Sequence, residues 1–128
     1  MMPGENQTTA GSGAGIEIVS MPAELDLTTS EGVVALGCAA IARLARLVLL
    51  DLTGLSFCDA RGLSAFVRIA NQADAAGCGF GLVAPRPPVA KILRISGLDS
   101  RMPVFATIDD ALALRTATAG VSAAGTRR

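Results

Sequence analysis

Apolar residues recur along this chain with two periods, and the switches between them predict its elements. Ile16-Glu17-Ile18-Val19 alternates, as a strand with one buried face does, and the pattern carries towards Met21. Pro22 limits it, because proline gives no N–H to a ladder. The segment Ala23 to Glu31 is polar enough to end a strand and start a helix. Thr28 or Thr29 can cap that helix, and Glu31 stands three residues after Thr28, the spacing of a capping box. Val33, Val34, Leu36, Ile41 and Leu44 then supply the apolar residues of a helix reaching about residue 44. Leu47 to Leu52 is almost continuously apolar, as in a strand buried on both faces.

The run Asp51-Leu52-Thr53-Gly54-Leu55-Ser56-Phe57-Cys58-Asp59-Ala60-Arg61-Gly62-Leu63 follows. It reads as a buried strand, a tight loop and the first turn of a second helix. Asp59 sits at the N-cap, where a carboxylate accepts hydrogen bonds from the free N–H groups of the first turn. The helix runs from about Ala60 to Ala76, with Leu63, Phe66, Val67 and Ala70 as its inward stripe. Gly77 stops it. Phe80 to Val83 is the next strand. Val89 to Ser96 is a short helix after the prolines, closed by Gly97. Met102 to Ala106 is a last strand, and a final helix runs from Asp110 to about Thr118. This alternation predicts an α/β fold of parallel strands with right-handed crossovers, the helices on one face.

Residues 1–15 are rich in Gly, Thr, Ser and Ala and read as a mobile tail, with Gln7 to Ala10 as a weak edge strand. Residues 16–118 form one domain, and 119–128 read as a second tail. Gly77, Gly79 and Gly81 precede or enter a strand, so they read as turn and sheet glycines rather than a phosphate loop.

Charge narrows the function. The 11 Lys and Arg balance the 11 Asp and Glu, so there is no basic field for nucleic acid and no polybasic run for a membrane surface. No apolar stretch approaches the ~20 residues of a spanning helix. Met1 to Gly15 lacks the basic start and apolar centre of a signal peptide, so a cytoplasmic location is expected. The chain has no histidine, which removes the commonest general base and metal ligand. Cys38, Cys58 and Cys78 are isolated and odd in number, so neither a disulfide framework nor a metal site is expected. Neither an enzymatic activity nor a cofactor is expected.

Four segments in order resemble the STAS domain, the fold of bacterial anti-sigma factor antagonists. They are Ala23-Glu24-Leu25-Asp26, Asp51 to Leu63, Ile95-Ser96-Gly97-Leu98, and Val104-Phe105 with Asp109-Asp110-Ala111-Leu112. The resemblance covers residues 16–118. It implies a four- to five-stranded, mostly parallel sheet with about four helices packed mainly on one face. It also implies binding to an anti-sigma factor of histidine-kinase-like ATPase fold, which frees a sigma factor. In such antagonists the serine after the aspartate is phosphorylated, adding nearly two negative charges to the interface. Here Ala60 stands at that position and Arg61 replaces a second serine, so the switch is expected to be missing.

The resemblance places partner contacts at Asp26, Thr28, Asp59, Ala60, Arg61, Gly62 and Ser64. Asp59 and Asp26 serve equally as helix caps. Arg61 opposes the helix dipole and is a candidate for a salt bridge to a partner or to Asp59, or is simply solvated. Ser56 is the alternative phosphorylation site, although its loop position suits it to satisfying backbone groups. Cys58 is the alternative redox site, although a buried cysteine is usually an inert hydrophobe. A homodimer is compatible with these features. The second functional reading is a STAS scaffold or sensory module in a larger assembly, open to a small ligand.

Overall fold

The computed structural model describes residues 10–13 and 15–117. It contains strands β1 (Ala10–Gly13), β2 (Ile16–Ser20), β3 (Glu24–Leu25), β4 (Leu47–Asp51), β5 (Phe57–Cys58), β6 (Gly79–Val83) and β7 (Val104–Phe105). The helices are α1 (Ser30–Ala42), α2 (Ala60–Ala76), α3 (Pro87–Ile95) and α4 (Ile108–Ala117), with a single 3-10 turn at Leu98–Ser100. The main sheet has the order β1-β2-β4-β6-β7, while β3 and β5 form a separate pair. β2, β4, β6 and β7 are parallel, as the alternation of elements requires.

β1 corrects the expected tail. Ala10–Gly13 pairs antiparallel with β2, so part of residues 1–15 belongs to the sheet. The rest of the edge strand proposed over Gln7 to Ala10, and the tail over 119–128, lie outside the described residues.

Side-chain alternation divides the interior. Val19, Val48, Leu50 and Leu82 face one way, into a core shared with α1, α2 and α3. Leu47, Leu49 and Val83 face the other way and meet Ala111 of α4, with Ile16, Ile18, Phe105, Ile108 and Leu112 around them. Three helices thus share one face and α4 takes the other. β4 is apolar on both faces for this reason. Gly81 makes room on the α4 side, since a Cβ there would stand 2.9 Å from the Phe105 ring.

Two details of α1 depart from expectation. The capping box of Thr28 and Glu31 does not form: the Thr28 hydroxyl donates to Asp26 and Glu31 pairs with Arg68. The helix ends at Ala42, and Leu44 is exposed in a left-handed conformation with φ 66°. The stripe on α2 is also rotated. Gly62, Ala65, Phe66, Ile69 and Ala73 are buried, while Leu63, Val67 and Ala70 only flank the core. Gly62 turns inward at the helix start, where it lets α2 approach β3 and β5 closely.

Candidate functional site

The site is built where parallel strands end and helices begin, the edge at which open α/β sheets commonly bind. After β4 the chain turns back on itself. Asp51 Oδ1 accepts from the Thr53 backbone N–H at 3.0 Å and from its hydroxyl at 2.6 Å, an Asx turn. Ala23 O then collects the loop, accepting from Ser56 N at 2.8 Å and Ser56 Oγ at 3.1 Å. The Ser56 hydroxyl therefore satisfies backbone, as its position suggested.

The β3–β5 ladder, unforeseen in the sequence, joins the two halves of the site. Leu25 pairs with Cys58, and Asp59 N donates to Leu25 O at 3.2 Å. From there Asp59 caps α2: its Oδ1 accepts from Arg61 N at 2.9 Å and Gly62 N at 3.1 Å. Gly62 is packed against β3 so tightly that a Cβ would lie 2.6 Å from Leu25 O and 2.7 Å from Cys58 Sγ. Only glycine allows this approach.

On the other half, a turn after β3 centres on Asp26. Its Oδ1 accepts from the Thr28 N–H at 2.9 Å and the Thr28 hydroxyl at 2.8 Å. Those two bonds, with further help from Thr29, hold its carboxyl below the usual carboxylate value. The Thr29 hydroxyl donates to Glu24 O at 2.8 Å and accepts from Asp26 N at 3.0 Å. The start of α1 is thereby tied to β3.

The fold brings Asp26, Thr28, Asp59, Ala60, Arg61 and Gly62 to one place. Thr28, Ala60 and Arg61 are exposed, Asp26 and Asp59 are half-buried, and Gly62 is buried. Ser64 is exposed one turn further along α2, on the same side as Ala60. No ion pair links Arg61 to Asp59 or to any other described residue, because the Asp59 carboxylate faces the helix backbone. Cys58 is buried, and burial, then the Asp59 charge, push its thiol up to about 12. It is a packing residue beneath Gly62, protonated at neutral pH. Two exposed residues at this edge, Leu27 and Phe57, were not singled out in the sequence. Only the β3–β5 ladder reveals which side of each strand faces water.

Among the described residues no group of His, Cys, Asp and Glu can hold a metal ion, and no helix is long and apolar enough to cross a membrane. A shallow cavity of about 290 Å³ lies where α1 and α2 end, lined by Ile41, Leu44, Ala45, Arg46, Ala76, Gly77 and Cys78. None of the expected site residues lines it.

Known proteins resemble this chain in sequence and in fold. A candidate anti-anti-sigma factor of Mycobacterium tuberculosis is 36% identical over 73 residues, 55% of this chain and 47% of that protein. The match thus spans about half the length of that relative. An anti-sigma factor antagonist from Mycobacterium paratuberculosis has the same fold, with a TM-score of 0.74 and 27% identity over 84% of this chain and 92% of that one. A sulfate transporter family protein from Wolinella succinogenes also superposes, with a TM-score of 0.74 and 18% identity over 85% of this chain and 91% of that one. At that identity the likeness concerns the fold alone. The STAS domain model matches residues 12–111. This chain therefore belongs to the STAS domain family, which includes anti-sigma factor antagonists.

Proposed function

We propose that this chain is an anti-sigma factor antagonist whose binding is not switched off by phosphorylation at the family position. It docks on an anti-sigma factor of histidine-kinase-like ATPase fold and so frees a sigma factor. Its docking face is the Asp26–Thr28 turn together with the start of α2: Asp59, Ala60, Arg61, Gly62 and Ser64.

The observation that carries this reading is Ala60. It is exposed at the first position of α2, directly after the capping Asp59. A hydroxyl at that place would be open to a kinase, and a phosphate there would put nearly two negative charges on the docking face. A methyl group offers neither. Asp59 caps α2 and Gly62 packs on β3 around it, which supports contact retained without an acceptor. The curated relative and the Mycobacterium paratuberculosis structure support the antagonist role.

The test mixes the chain with anti-sigma factors of its own cell, with and without ATP. A complex is expected by size-exclusion chromatography with light scattering, and ATP should leave it unchanged. The Ala60→Ser variant should incorporate phosphate and release the partner. Phosphate on Ser56 or Ser64 of the unaltered chain would overturn the missing switch. Absence of a complex with every anti-sigma factor, together with a large assembly formed without one, would replace this reading by a scaffold role.

A further inference from the structure

We infer that Leu27 and Phe57 are the apolar anchors of the docking face, and that they enter an apolar pocket rimmed by lysine or arginine on the partner protein. This inference rests on the docking reading above and specifies its partner's chemistry. Four large apolar side chains are well exposed among the described residues: Leu27, Leu44, Phe57 and Ile95. Two of them stand on the paired segments that frame the start of α2. Leu27 is 61% exposed, two residues past β3, and Phe57 is 51% exposed on β5. The ladder makes the exposure of Phe57 a fixed property of the backbone. Leu25 pairs with Cys58, and both turn into the core, while Glu24 pairs with Phe57, and both turn outward. An aromatic ring held in water on a rigid support is suited to anchoring an interface.

The charges around the pair choose the partner. On β3, its turn and the start of α2, Glu24, Asp26 and Asp59 are carboxylates against the one cation Arg61; the cations of α3, Lys91 and Arg94, lie on the helix beyond β5. Asp26 is kept ionised by its bonds from Thr28. Such a surface repels nucleic acid and anionic headgroups, and it repels a second copy of itself. It complements a cationic rim, with apolar contact at the centre and charge at the edge, the usual anatomy of an interface.

The experiment uses the full chain and whichever anti-sigma factor forms the complex described above, titrated by calorimetry. Phe57→Ser and Leu27→Ser should each weaken the complex about tenfold or more. Glu24→Lys should weaken it about threefold to tenfold. Affinity of the unaltered chain should fall as salt rises. Leu44→Ser, an exposed leucine at the far end of the molecule, should bind as the unaltered chain does. Circular dichroism confirms folding of each variant. Unchanged affinity in both Leu27→Ser and Phe57→Ser, or tighter binding by Glu24→Lys, would overturn the inference and leave the antagonist role standing. If the unaltered chain binds no anti-sigma factor, the antagonist role fails and the inference falls with it.

Discussion

The two helix starts at the candidate site are held in opposite ways. At α2 the cap is local: Asp59 bonds two N–H groups within the next three residues. At α1 the preceding Thr29 caps nothing with its side chain. Its hydroxyl instead bridges Glu24 O and Asp26 N, and Asp26 O accepts from Ser30 N at 2.9 Å. One start is written in a capping residue, the other in a turn pinned to a strand. The difference shows that the face is a joint between a self-sufficient helix and a turn that needs β3. Leu25, touching both Asp59 and Gly62, is that joint.

Breaking the joint should cost most. Gly62→Ala puts a methyl group 2.6 Å from the Leu25 carbonyl oxygen, a backbone atom that cannot swing away. A loss of about 2–3 kcal/mol is expected in urea unfolding, as for overpacked cores. The better helix propensity of alanine, worth up to about 1 kcal/mol, is outweighed. Wild-type stability in this variant would show that β3 and α2 can separate freely.

Asp59→Ala should come next, at about 1–2 kcal/mol, while Asp59→Asn keeps most of the cap. Thr29→Val should lose about 1 kcal/mol, through two bonds to β3 and its turn rather than a cap. Amide exchange sharpens the contrast. Asp59→Ala should speed exchange at Arg61 and Gly62, and Thr29→Val should speed it at Asp26. The reverse pattern would erase the distinction between the two starts.

The smallest effect concerns pH. The thiol of Cys58 is raised in the fold to about 12 from an ordinary 9.0. Its contribution to stability is therefore complete below about pH 8, begins to fall as pH nears 9 and is lost as pH rises towards 12. Between pH 8 and 9 the loss is roughly 0.4 kcal/mol. Cys58→Ala should flatten that slope in urea midpoints; an unchanged slope would mean that the thiol is not held apart from water.

Much of α2 was legible in the sequence. Its span, its Asp59 cap and its Gly77 stop, at φ 72°, are local signals and match the structure. The β3–β5 pair was not legible. Two strands of two residues are too short for any period, and their existence depends on a partner more than thirty positions away. The rotated stripe on α2 follows from the same gap. Without β3, nothing marks Gly62 and Ala65 as the approaching side. The supposed capping box failed because Asp26, two residues earlier, takes the Thr28 hydroxyl.

The bare backbone at Gly81, where the Phe105 ring rests, also bears on how the molecule would come apart. It lets α4 seal its own sheet face with a small cluster, independent of the interior beneath α1 and α2. α4 is thus a lid over the back of the molecule. Loss of α4 alone would uncover β4 on one side only, because the edge carrying Asp26 and Asp59 packs on the other.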